Sequence, residues 1–363
     1  MITRARFQNF KALRDVTIDF PTPLTVFVGP NASGKSSVLQ GISLVRRLLA
    51  KKPGSQISLA SDYFCKSSDS DELRIELVDE HQAAKPVIAI GKNNWDGGFL
   101  SLEDVKPDAK PAPDERRRSP APSSVQRFPI AEILRLDPAL LSAASYSGDK
   151  APTLAANGAG LPSVLAELAT SDPARFMLIQ EALRTVIPAV RQIRLLRASV
   201  EYQEAGRDPA GGRMLETRIG AGHKIYFDFK GADKVPAELT SEGTLLVLGW
   251  LTAVLGQEWQ SLLLVDDLDR ALHPQAQREL VDILRRLLST RPMLQILATS
   301  HSPYLLDKLK AEEIRLMTLS DDGVALCGTL MQHPEYARWK DVMLPGEIWS
   351  TAGDAWLRER RDG

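Results

Sequence analysis

Residues 24–37 read LTVFVGPNASGKSS. Leu24 to Val28 form an apolar run of strand length, and Gly29 to Ser36 follow it as a complete G-x-x-x-x-G-K-S loop. Beyond Ser37, the stretch Val38-Leu39-Gln40-Gly41-Ile42-Ser43-Leu44-Val45 carries apolar side chains at helical spacing. A strand, a glycine loop and a helix in this order predict a phosphate site. Gly29 and Gly34 free the backbone around Pro30, Asn31, Ala32 and Ser33, so that its N–H groups converge on phosphate oxygens. Lys35 brings positive charge to the β and γ phosphates, the Ser36 hydroxyl is a ligand for Mg²⁺, and the helix N-terminus adds its dipole. Ala32 suits the loop on condition that its φ is negative. The expected ligand is a nucleoside triphosphate.

The 363 residues allow one large or two medium domains, with 45 basic and 46 acidic side chains nearly cancelling. No overall basic field announces nucleic acid, although a local basic surface is compatible with this balance. Cys65 and Cys327 show no metal or redox spacing and suit a reducing compartment. The N-terminus lacks a signal-peptide core, and no apolar run reaches the length of a membrane span. These features predict a cytoplasmic protein without a membrane partner.

Outward from the loop, Ile2–Phe7 and Val16–Phe20 alternate like strands, joined by a turn between Asn9 and Asp15. Leu73–Val78 and Val87–Ile90 read as a second strand pair. Residues 101–130 contain a stretch rich in Pro, Ala and charge that reads as a flexible linker, with Arg116, Arg117 and Arg118 inside it. Residues 131–185 turn helical, notably over Leu161–Leu168 and Pro173–Ile179. Strands return at Val190–Arg197 and Lys224–Phe229, and Arg191, Arg194 and Arg197 do not share one strand face. No coiled-coil heptads and no internal repeat are present. His81, His223 and His333 have no acids or cysteines at ligand spacing and read as surface or structural residues.

Ser261 to Asp267 read SLLLVDD: a buried strand that delivers acids to its C-terminal edge, where open α/β sheets bind ligands. Asp266 is the expected Mg²⁺ acid, opposite Ser36. Glu238 to Thr244, ELTSEGT, precede an apolar helix predicted from Leu245, with a serine and a glycine at its start as an anion site. Ile296 to Pro303, ILATSHSP, is a strand that ends in His301.

Phosphate loop, Leu-x-Ser-x-Gly-like signature, acid pair with Leu272-His273-Pro274, and Thr-Ser-His-Ser-Pro occur in an order that resembles the ABC-type ATPases. The soluble branch with RecF, SMC heads and OLD-type ATPases is the nearer likeness, and ARFQNFKALRDVTIDF at 5–20 resembles its N-terminal strand pair. The likeness covers 1–50 and 235–310 well and the middle loosely. It implies an α/β fold of the P-loop NTPase, ABC-ATPase type: a mixed central sheet with an antiparallel β subdomain and a helical insertion. The ATPase domain would be discontinuous, 1–100 and 186–330, with 131–185 as helical lobe and 331–363 as a helical tail.

The resemblance also implies roles. Gly29 to Ser37 bind ATP, Ser36 and Asp266 hold Mg²⁺, and Ser241, Glu242 and Gly243 act in trans on ATP bound to a second copy, giving a homodimer around two ATP. Asp267 occupies the place of the glutamate that polarises water, and His301 that of the switch histidine. Asp267 is a methylene shorter than glutamate, so slow hydrolysis is expected, with Asp269 next in line as the catalytic acid. Gln82 and Gln126 are the candidates for a glutamine loop. A transporter subunit is disfavoured because TLLVLGWLTAVL after Gly243 lacks the usual Gln-Arg run. The residues after Pro303 are too few for a Toprim nuclease domain. A separate effector, commonly a nuclease in bacterial antiphage defence, is the implied partner, with RecF-like DNA repair and a nucleic-acid partner as the alternative. The tail, with Trp339, Trp349 and Trp356 among charges, reads equally as a partner-docking element or as packed on the core.

Overall fold

The computed structural model describes residues 1–49, 63–65, 72–79, 87–91, 132–148, 151–207, 213–256 and 261–362. The proposed linker, His81, Gln82 and Gln126 lie outside these residues. The chain divides into two compact units, one of 1–133, 259–269 and 284–363, the other of 134–258 and 270–283.

The first unit is built on two sheets with the helix Lys35–Leu49 packed among their side chains. One sheet is antiparallel, in the order Leu13–Asp19, Ile2–Phe10, Glu72–Asp79, Val87–Gly91. The turn between its first two strands is tighter than the sequence suggests: Phe10 pairs with Leu13, and Asn9 and Lys11 take positive φ. On the outer face Arg6 makes a double hydrogen bond to Asp15. On the inner face Phe7, Phe10, Leu73 and Ile75 are fully buried. Gly41 of the helix faces Phe7, and a Cβ there would come within 2.5 Å of the ring, so this glycine sets the closeness of helix to sheet.

The second sheet has six strands, in the order Ala325–Thr329, Ile314–Leu319, Leu24–Val28, Gln295–Ser300, Leu262–Val265, Ile133–Leu134. The four from Ile314–Leu319 to Leu262–Val265 run parallel, and Ala325–Thr329 closes the edge as an antiparallel hairpin. Leu24–Val28, Gln295–Ser300 and Leu262–Val265 are buried at every residue, as central parallel strands must be. Val28 pairs with Ser300, and Val265 with Ala298, so three adjacent strands end side by side. That register brings together the three motifs that follow them. Arg285 and Glu313 form a two-pronged ion pair, the glutamate side chain being 5% exposed.

Short helices Tyr336–Trp339, Pro345–Ala352 and Trp356–Asp362 form the tail. Trp356 is 6% exposed and packs over Gly328, so this tryptophan is core material. Trp339 stacks on His333.

The other unit holds the helices Pro138–Ser142, Leu161–Ser171, Pro173–Val186 and Glu242–Leu255. Its strands Val190–Arg207 and Arg213–Phe229 are far longer than the alternation at 190–197 and 224–229 indicates. Among the described side chains of the distal half of this two-stranded ribbon none is buried, so no alternation marks its length in the sequence. Tyr146 and Tyr202 stack with ring centroids 3.8 Å apart, over Gly220, where a Cβ would meet Tyr146 at 2.5 Å. Arg194 grips Asp228, which also accepts the Lys234 N–H; together they hold its carboxyl down at about 2. Arg191 pairs with Asp233. These arginines brace the base of the ribbon.

Candidate nucleotide site

The loop after Leu24–Val28 is shaped by what surrounds it. Gly29 has φ +145°, and a Cβ on it would lie 1.9 Å from the Met317 carbonyl oxygen of the next strand. Gly34, φ +98°, opens the helix against Ala325 and Met317. Only glycine fits either place. Ala32 has φ +64°, which corrects the sequence expectation of a negative φ. The loop thus makes a left-handed turn at an alanine, a conformation unfavourable for an L-residue by about 1–2 kcal/mol. Pro30, Asn31 and Ala32 are exposed, whereas Ser33, Gly34 and Lys35 are buried.

Lys35 folds its ammonium over the loop, donating to the Gly29 and Pro30 carbonyls at 2.9 and 2.7 Å. Burial lowers its pKa, while Asp267, Asp266, Asp269 and Asp354 oppose the shift. Ser36 Oγ donates to Asp266 Oδ1 at 2.9 Å, across 230 positions of chain. A hydroxyl and a carboxylate so placed fit Mg²⁺, a hard cation that takes one or two protein oxygens and fills its octahedron with water and phosphate. Among the described residues no group of three or more His, Cys, Asp or Glu forms a further metal site.

Asp267 begins the loop after Leu262–Val265 with φ +56°, a left-handed conformation that aspartate tolerates. Its Oδ1 stands 3.9 Å from His301 Nε2. Burial raises the Asp267 pKa, with Asp266 adding to the effect and His301 opposing it. Asp269 Oδ1 accepts the His301 N–H at 3.1 Å. Thr299, to which the sequence reading assigned nothing, accepts the Asp267 N–H and donates to Asp266, both at 2.8 Å. Its only signal was a hydroxyl directly after the apolar run Ile296–Ala298, two residues before a histidine.

The first unit therefore gathers Gly29 to Ser37, Asp266, Asp267 and His301. Ser241, Glu242 and Gly243 belong to the second unit. There the helix starts at Glu242, three residues before the position expected, because Ser241 caps it: its Oγ accepts the Thr244 N–H at 3.3 Å. Ser241 and Glu242 are exposed and Gly243 is buried. A Cβ on Gly243 would lie 2.6 Å from the Ala271 carbonyl oxygen, which gives this glycine a packing role of its own.

A family model described as "AAA domain, putative AbiEii toxin, Type IV TA system" matches residues 24–307. A Septu protein PtuA from Bacillus mycoides (strain KBAB4) is 22% identical over 345 residues, 89% of this chain and 41% of that protein. Another, from Bacillus thuringiensis, is 33% identical over 67 residues, 18% of this chain and 16% of that protein. The chain thus spans less than half the length of these curated relatives. Among solved structures, an SMC head bound to the C-winged helix domain of ScpA aligns with TM-score 0.59 at 16% identity, over 90% of this chain and 97% of that one. That likeness is one of fold. No helix among the described residues is long and apolar enough to cross a membrane. With the family model spanning more than half of its length, the chain belongs to this AAA-domain family, and its fold is that of an SMC head.

Proposed function

We propose that the chain is a Mg²⁺-dependent ATPase that turns over slowly, closes with a second copy around two ATP and passes its state to a separate effector. The observation that carries the reading is the Ser36–Asp266 hydrogen bond, with Asp267 and His301 at neighbouring strand ends. Lys35 would leave its loop carbonyls for the β and γ phosphates of ATP. Ser36 and Asp266 would hold Mg²⁺, which when bound neutralises phosphate charge. Asp267 takes the proton of the attacking water, and His301 holds the γ-phosphate. The half-exposed Asp267, beside the imidazole, is placed for this role.

The exposed Ser241 hydroxyl at a helix N-terminus suits an anion brought by another molecule, which supports sharing of the site between two copies. The similarity to Septu proteins PtuA favours a role in bacterial antiphage defence. A nuclease is the effector class that the ABC-type resemblance implies. The test is phosphate release from ATP with and without Mg²⁺, together with sedimentation in both states. Wild type should release phosphate and dimerise with ATP, and Lys35→Ala should do neither. No turnover with Mg²⁺ defeats the enzymatic reading, and unchanged dimerisation in Ser241→Ala defeats the shared site. Turnover stimulated by DNA, with no co-purifying nuclease, would replace the defence reading with a DNA-repair one.

A further inference from the structure

Thr299 is fully buried in Gln295–Ser300, with Phe27 as its partner on the neighbouring strand. Three hydrogen bonds run from it to the acid loop. Its Oγ1 accepts the Asp267 N–H and donates to Asp266 Oδ1, each at 2.8 Å, and its carbonyl accepts the Leu268 N–H at 2.9 Å. The amide can only donate and the ionised carboxylate only accept, so the hydroxyl proton has one place to be. Buried threonines in this sheet do not do this as a matter of course. Among the described residues, the hydroxyls of Thr25 and Thr318, on nearby strands, have no hydrogen-bond partner.

The loop that Thr299 holds is one that would otherwise wander. Asp267 turns left-handed there, and its N–H points back at the strand instead of into a ladder. Asp269 returns a bond to the His301 N–H from the other side. The acid loop and the histidine loop are thereby stitched at both ends, with Asp267 and His301 held 3.9 Å apart.

We infer that Thr299 is a positioning residue, which fixes the metal acid Asp266 and the water acid Asp267 relative to each other without touching the nucleotide. The inference deepens the ATPase reading and rests on it for its kinetic consequence. Groups that orient a metal ligand change metal affinity or activity by about 10–100-fold when lost.

The experiment compares Thr299→Val, Thr299→Ser and the control Thr25→Val in the full chain. In the absence of nucleotide and metal, hydrogen exchange is read on the peptide that covers 266–269. Exchange there should quicken about tenfold or more in Thr299→Val and stay as in wild type in Thr299→Ser and Thr25→Val. In turnover, Thr299→Val should lower kcat by about 10–100-fold and raise the Mg²⁺ needed for half-maximal rate, while Mg²⁺-free ATP binding stays within about twofold. Thr299→Ser should keep kcat within about threefold of wild type. A serine variant as impaired as the valine one, or a valine variant with wild-type exchange, would overturn the inference. Should Thr299→Val fail to fold, a tenfold loss in Thr299→Ser overturns it alone and wild-type behaviour there upholds it. Exchange decides the clamp even if wild type proves unable to hydrolyse ATP, so that failure is separable from this one.

Discussion

Replacing Asp267 with asparagine isolates the chemistry of this side chain from its geometry. Asparagine tolerates φ +56° as aspartate does and keeps the N–H that Thr299 accepts. What it loses is the capacity to take a proton. A positioned general base contributes about 10²–10⁴ in rate. The carboxylate here is short, half exposed and 3.9 Å from His301, so the lower end applies: about 100-fold in kcat, or ~2.7 kcal/mol on the barrier. Binding should move the other way. A base that reaches the attacking water lies about 5 Å from the γ-phosphate, and neutralising one charge at that separation in a water-like medium is worth about 0.8 kcal/mol, roughly a fourfold tighter Kd for ATP. Single-turnover phosphate release at saturating ATP and equilibrium ATP binding measure the two. The pH profile adds a signature. The Asp267 pKa is raised, so wild-type turnover should climb through a value above the usual ~4 of aspartate, and the asparagine variant should lack that limb. For stability the sign is opposite. A raised folded pKa gives stability that is complete below the unfolded value and lost as pH rises through the folded one, so at neutral pH the variant should be no less stable than wild type. A kcat within tenfold of wild type would refute the assignment and turn attention to Asp269. Loss of ATP binding along with kcat would show that the side chain is structural.

Gly29→Ala places a Cβ 1.9 Å from the Met317 oxygen at φ +145°, and overpacking and backbone strain together should cost about 3–4 kcal/mol in a denaturant melt. A loss under about 1 kcal/mol would contradict the described approach of loop and strand. Ala32→Gly removes the strain at φ +64° but adds entropy to the unfolded chain, so a net gain of up to about 1 kcal/mol is expected in the same melt; clear destabilisation would speak against the left-handed turn. Asp267→Glu should not accelerate turnover beyond about threefold, since a glutamate is less at ease in the left-handed conformation and its extra methylene overshoots His301; a tenfold gain in phosphate release would mean that length alone limits the wild type.

The phosphate loop, its strand and its helix were legible because each residue there answers to a local constraint. The same holds for the strand ending at Val265, whose unbroken burial is written as an apolar run, and in part for the one ending at Ser300, where Ile296–Ala298 are apolar while Gln295, Thr299 and Ser300 are buried and polar. Their adjacency in the sheet is not local, and no residue in either strand announces it. Thr299 escaped notice because its hydroxyl acts on atoms 32 and 33 positions away in sequence. The conformation of Ala32 was misjudged because a positive φ at alanine is enforced by the loop's surroundings, with no mark in the residue type. In the second unit, the early start of the helix at Glu242 could have been read from the sequence. Ser241 followed by Glu242, Gly243 and Thr244 is a capping signal, and the apolar run at Leu245 drew the boundary too late.

The short acid at 267 and the left-handed backbone beneath it are best understood as one feature. Aspartate and asparagine tolerate φ near +56° better than most residues, because a short polar side chain lessens the clash that a longer one meets, although this chain also carries Lys11, Lys234 and Ala271 there. The turn follows in part from Thr299, which draws the Asp267 N–H back toward the strand. Once the backbone is so rotated, the carboxylate leaves the line of the strand and points toward His301. On the ATPase reading, the reach of the carboxylate to the water is then set by this rotation as well as by its length. Aspartate in place of glutamate would tie the rate to the integrity of the Thr299–Asp267 hydrogen bond, so that loosening the loop and slowing turnover become one measurable effect.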